Sequence, residues 1–121
     1  MNDNDLWDDI LTALRQQPAT NRRPDEYWIA AKYDRQKRKS QVQITQAGWT
    51  RTTHEGTEQS IPKSEIMRIA KSAADSPSHR FLITGMKTEG GLYGSVVGAV
   101  LDKVPYFSYD PGQWLVYHDR Q

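Results

Sequence analysis

The spacing of apolar residues changes repeatedly along this chain, and that change restricts the fold more than any other property of the sequence. Leu6, Trp7, Ile10, Leu11 and Leu14 recur at helical spacing, whereas Tyr27, Ile29, Ala31 and Tyr33, and then Val42 and Ile44, alternate with polar or outward residues. Helical spacing returns at Ile66, Ile69, Ala70 and Ala73, and again at Tyr93, Val96, Val97, Val100, Leu101 and Val104. A chain that switches between the two periods is neither one long helix nor an array of repeats. The expected class is α+β.

The chain has 121 residues and no cysteine, so one modest core must hold a single domain over 1–121 without disulfides. The same absence removes thiolate metal sites, iron–sulfur clusters and cysteine nucleophiles. No apolar run approaches the roughly 20 residues that cross a bilayer. The first residues, MNDNDLWDD, are acidic where a secretory signal would be basic, which gives the expectation of a cytoplasmic protein with no membrane partner.

Read in order, residues 1–17 form an acidic helix capped by Asn4 or Asp5 and ended by Pro18. Residues 18–26 hold prolines and no apolar period; they read as a linker that lets the first helix dock loosely. Residues 27–54 are a basic three-stranded antiparallel meander, with DRQKRKS at the first hairpin tip and HEGTEQ ending the sheet. Residues 60–118 are an αβαββ unit. It comprises a helix over Ser60–Ser76 with Pro62 in its first turn and a strand RFLITGM covered on both faces. A glycine loop, a helix over 92–104 stopped by Pro105, and a terminal hairpin around Asp110-Pro111-Gly112-Gln113 complete it. The order is αβββαβαββ, with two helices after the meander and a C-terminal β-hairpin.

Net charge is +1, but it is unevenly spread: residues 1–20 carry −3, residues 21–51 carry +5, and the remainder −1. Such asymmetry attracts polyanions even in a nearly neutral molecule. The leading reading is a small non-catalytic nucleic-acid-binding accessory or regulatory protein. Arg35, Lys37, Arg38 and Lys39 would meet phosphates from the hairpin tip, with Lys32 and Arg51 beside them. Tyr27, Trp28, Tyr33 and Trp49 are the rings within reach. Tyr33 and Trp49 are expected in the core, and Trp28, which alternates with Ile29, is expected to be the exposed stacking ring.

A second reading is a protein-interaction module, either inhibitor-like or immunity-like or a homodimer. It rests on the face Gly91, Gly94, Ser95, Gly98 and Ala99, which has almost no side chains although glycine costs about 1 kcal/mol in a helix. Something must approach that face closely, whether a sheet, another helix or a second copy. The order of elements over 60–118 also looks like that of a winged-helix domain, in which the second helix would enter the major groove. It departs from that pattern in lacking a helix before the recognition helix, in having no base-reading side chain on the bare face, and in a wing, SYDPGQ, with Asp110 and no cation.

A third reading is a metal-independent nuclease using His54, His79 or His118. These histidines lie 25 and 39 positions apart, and no metal-ligand or nucleophile motif accompanies them. The spacing Gly90-Gly91-x-x-Gly94 matches no nucleotide-binding fingerprint, so no cofactor and no metal are expected.

Overall fold

The computed structural model describes residues 2–33, 35–83 and 94–119. Helix α1 (Asp3–Arg15) begins earlier than the sequence suggested, because Asn2 caps it by accepting a hydrogen bond from the Asn4 N–H at 2.8 Å. Leu6, Ile10, Ala13 and Leu14 are its buried stripe. Trp7 lies against the sealed Trp49 ring with 6.5 Å between centroids, and the Tyr106 hydroxyl donates to Asp9 at 2.6 Å. The helix is thus held by both ends of the domain.

Strands β1 (Glu26–Ala30), β2 (Lys39–Thr45), β3 (Gly48–Thr52) and β4 (Glu58–Pro62) form an antiparallel sheet in chain order. The fourth strand was not expected from the sequence. Its residues Glu58, Gln59 and Ser60 are polar because they face water or the rim, and Ile61 alone is sealed in the core. Thr53 and Thr57 close the β3–β4 turn, through which Gly56 passes at φ +90°. Gly48 allows the sheet to close tightly: a Cβ there would lie 2.2 Å from the Ile61 carbonyl oxygen. The segment read as a linker lies along the sheet instead of spanning open solvent. Trp28 N–H donates to the Pro18 carbonyl at 2.8 Å, and Ala19 bridges Tyr27.

Helix α2 (Lys63–Ala74) starts after Pro62, later than the expected Ser60, and buries Ile66, Met67, Ile69, Ala70 and Ala73. Strand β5 (Arg80–Leu82) follows. Helix α3 (Gly94–Leu101) and strands β6 (Phe107–Asp110) and β7 (Trp114–Tyr117) complete the chain. The second sheet has the order β5-β7-β6, and Gly112 turns the hairpin at φ +84°. Residues 84–86 of the expected strand lie outside the described residues, and over Arg80–Leu82 the expectation that both faces are covered does not hold: α2 packs on one face, while on the other Leu82 is exposed and Arg80 lies over the Trp114 ring at 4.2 Å.

The helices join the two sheets: α2 meets β3 and β4 on one side and β5 and β7 on the other, while α3 meets β1, β6 and α1. From Val96 to Leu101, α3 is buried on every side. That burial explains Gly98 and removes the winged-helix comparison, since no face is left to enter a groove. A Cβ at Gly98 would lie 2.9 Å from Tyr109 Cε2 and 3.0 Å from Ile83 Cδ1, so the second sheet is what approaches the bare face.

Candidate functional site

Period-two geometry sorts the side chains of the first sheet. Ile29, Ser40, Val42, Trp49, Arg51 and Ile61 share the inner face, as the register Ile29↔Ser40, Val42↔Arg51 and Trp49↔Ile61 requires. Trp28, Lys39, Gln41 and Thr52 share the outer face. A meander also places alternate turns at the same end, so the β1–β2 tip and the β3–β4 turn are neighbours. Arg38 Nη1 therefore lies 3.4 Å from His54 Nε2.

On the inner side, Lys32, Arg38, Arg51 and His54 line one cavity of about 250 Å³, with the hydroxyl groups of Ser40 and Ser95. No acidic side chain among the described residues lines it. Arg51 is half-buried and donates to Ser40 Oγ at 3.1 Å and to Gln59 Oε1 at 3.2 Å, contacts that orient its guanidinium. Burial pushes its pKa below the usual value, yet a guanidinium remains a cation at neutral pH.

The far wall comes from the second sheet. The Tyr33 hydroxyl donates to the Tyr109 carbonyl, and the two rings meet edge to face at 5.0 Å. Lys32 Nζ donates to Asp102 Oδ1 at 2.9 Å, and the same oxygen accepts from Tyr109 N–H at 2.8 Å. Desolvation works to lower the Lys32 pKa, but the hydrogen bond and charge of Asp102 outweigh it and raise the value. Burial pushes the Tyr109 hydroxyl up to about 12, so it stays neutral.

On the outer side, a groove of about 400 Å³ is lined by Arg22, Trp28, Lys39, Gln41 and His54. Trp28 is half-buried in it, not wholly exposed. Arg22 crosses this face to pair with the sealed Glu26 at 3.0 Å and to donate to Thr52 Oγ1 at 3.1 Å. Arg15 pairs with Asp25 at 2.9 Å and Arg23 with Glu58 at 2.9 Å. These pairs satisfy the basic residues before β1. Among the expected cations, Arg35 and Lys37 are exposed at the tip, with Lys37 Nζ donating to the Lys32 carbonyl at 2.9 Å.

The expected residues thus divide into three places: Lys32, Arg38 and Arg51 at the inner cavity, Trp28 and Lys39 at the outer groove, and Arg35 and Lys37 on the tip between. Tyr27 is half-buried with its hydroxyl on Asp25, Tyr33 is 41% exposed, and Trp49 is sealed. His54 lines both concavities, a position that its sequence neighbours did not disclose. Its signal was topological: it follows β3 in the turn that a meander brings beside the basic tip. Arg22 and Ser40 were also missed: Ser40 is placed by strand register opposite Ile29, and Arg22 by its reach across the sheet to Glu26 and Thr52.

The small-residue face has a different fate. Gly91 lies outside the described residues and Gly94 opens α3. Ser95 is exposed at the cavity, and Gly98 and Ala99 are buried by the chain itself. Gly98 and Ala99 are therefore not surface on which a partner or second copy can settle. The three histidines are also not gathered. His79 meets Tyr117 and His118 meets Ser108 at 2.8 Å, both at the second sheet, far in topology from His54. Among the described residues no group of three His, Asp or Glu side chains is placed to hold a metal ion. Comparison of the chain with protein-family models, with curated proteins and with solved structures yields no match.

Proposed function

We propose that the chain is a non-catalytic accessory or regulatory protein that binds single-stranded nucleic acid along the basic end of its first sheet. The observation that carries this reading is the convergence of Lys32, Arg38, Arg51 and His54 on one cavity that meets, through His54, a second concavity containing Trp28 and Lys39. Cations there neutralise phosphates and release condensed counterions, the main source of affinity for a flexible polyanion. The Trp28 ring offers a base a partly exposed π face, an arrangement worth roughly 1–3 kcal/mol per base. A single strand can bend from the groove over the tip to the cavity, whereas a duplex is stiff on that scale. Charges and a ring face supply little of the base-edge code that selects sequence, so weak selectivity is expected.

The test is fluorescence anisotropy with labelled single-stranded RNA, single-stranded DNA and duplex DNA, at low salt and near 0.2 M salt. The parent is expected to bind single strands with a steep salt dependence. Replacing Arg35, Lys37, Arg38 and Lys39 together by Ala is expected to leave the circular dichroism unchanged and to flatten the salt slope by about 0.7 for each phosphate no longer neutralised. Equal affinity and equal slope for parent and variant would overturn the reading and turn attention to a protein partner.

A further inference from the structure

We infer that the outer groove seats one base of the bound strand on the Trp28 ring and that the Gln41 side-chain amide reads the edge of that base, favouring adenine at this one position; the inference rests on the nucleic-acid reading for its choice of ligand. Among the described residues, Trp28 is the only one of the four tryptophans whose ring has no aromatic or cationic neighbour. Trp7 and Trp49 stack, Lys63 lies over Trp7, and Arg80 covers Trp114. Gln41 stands apart in the same way. Of the three glutamines in the strands of the first sheet, Gln43 donates to the Pro24 carbonyl at 3.0 Å and Gln59 accepts from Arg51 at 3.2 Å. The half-buried Gln41 amide has no partner among the described residues.

Strand register brings these two groups together. Trp28 lies opposite Gln41, and Gln41 opposite Thr52, in one row across the outer face. The β1–β2 backbone bonds include Ala31 N–H to Arg38 and Ile44 N–H to Asp25, so Trp28 and Gln41 alternate with the bonded positions. They form a non-hydrogen-bonded pair, the kind whose side chains lie closer, with about 4.5 Å between Cα atoms. A base lying on the indole therefore presents its edge to an amide beside the ring. Both side chains line the groove of about 400 Å³, within the range of about 300–1,000 Å³ that holds a small molecule such as a nucleoside.

Charge in this groove plays the smaller part. Arg22 is held by Glu26 and Thr52, and His54 Nε2 lies beside Glu55 and Arg38. Lys39, two positions before Gln41 on the same face, has no side-chain partner among the described residues and is left to meet a flanking phosphate. Base choice follows from the amide, which offers a donor beside an acceptor. Adenine presents N6–H beside N7, a pair that a glutamine amide matches with two hydrogen bonds. Its other exposed edge presents N6–H beside N1, so either orientation on the ring meets the amide. Guanine offers two acceptors, O6 and N7, on the first of these edges, and the pyrimidines have a smaller ring to stack.

The experiment measures anisotropy with labelled thymine strands of one length and at constant low ionic strength. The central base is thymine, adenine, guanine, cytosine, or purine lacking the exocyclic amino group. The adenine strand is expected to bind about tenfold more tightly than the all-thymine strand, the discrimination of one bidentate contact. The purine strand is expected to lose most of that advantage although its ring still stacks. Gln41→Leu should bring the adenine-to-thymine ratio to about one, and Trp28→Leu should weaken every strand about tenfold. Both side chains are half-buried, so circular dichroism accompanies each variant, and the purine strand tests the amide contact on the unaltered chain.

Equal affinity for all strands, with salt-dependent binding intact, would overturn the inference and leave the nucleic-acid reading standing. A preference for guanine or cytosine, an adenine preference that survives Gln41→Leu, or affinity unmoved by Trp28→Leu would do the same. Absence of binding by any strand at low salt would overturn both.

Discussion

Trp49 and Arg51 sit two positions apart in β3 and so face the same way, yet one is sealed in the core and the other lines a cavity. The difference is where each meets the rest of the fold. Trp49 faces Trp7 of α1, whereas Arg51 lies nearer the sheet end, beside Ser40 and Gln59. Glu26 illustrates the opposite use of charge at a single residue. Burial works to raise its pKa, but hydrogen bonds from Arg22 and Thr20 and the charges of Arg22 and Arg23 outweigh burial and hold the carboxyl below its usual value. In the unfolded chain that depression disappears. Its ionisation therefore contributes stability above the ordinary carboxylate range, and that contribution is lost as pH falls through the lower folded value. Glu26→Gln is expected to lower the urea midpoint at neutral pH and to remove part of the acid-side decline below about pH 5. Asp25 and Glu58 are also depressed by arginine partners and add to the same slope. An acid-side profile unchanged by Glu26→Gln would show that the pair with Arg22 does not stabilise the fold.

Among the elements, α3 makes the most specific demand on sequence. Gly98 is set by the Tyr109 ring, and Gly98→Val is expected to cost about 1–3 kcal/mol in urea or thermal unfolding through overpacking. On an exposed helix the same change would stabilise by a few tenths of a kcal/mol. A gain in stability would therefore contradict the packing of α3 on the second sheet. The periodic elements were legible because each repeats its apolar residues at its own spacing: α1, β1, β2, α2 and the terminal hairpin all follow from that signal. Strand β4 was not legible, since Glu58, Gln59 and Ser60 lie on an edge and only Ile61 enters the core. The segment before β1 was unreadable for a related reason. Its contacts are backbone hydrogen bonds, such as Trp28 N–H to Pro18, which leave no trace in side-chain pattern.

At the scale of the whole molecule, the concentration of positive charge in residues 21–51 was visible in the sequence, but its division was not. Arg22 and Arg23 are absorbed by Glu26 and Glu58, while Lys32, Arg38 and Arg51 are brought to one cavity from the hairpin and from β3. That convergence depends on how two sheets meet, through Lys32 on Asp102 and Tyr33 on Tyr109, contacts that span 70 and 76 positions in the chain. Local spacing carries no information at such separations. The small-residue face was legible as a site of close approach, and only the fold identified the approaching group as a sheet of the same chain.

The most direct measurement is an amide chemical-shift titration of the isotopically labelled chain with an unstructured single-stranded oligonucleotide at low salt. Binding at the basic end of the first sheet is expected to move the amides of Trp28, Arg38, Lys39, Arg51 and His54 together along one saturating curve, leaving α1 and β5 still. Shifts confined to α1 or β5, or no shift at all, would contradict that placement and remove the basic end of the first sheet as the binding surface.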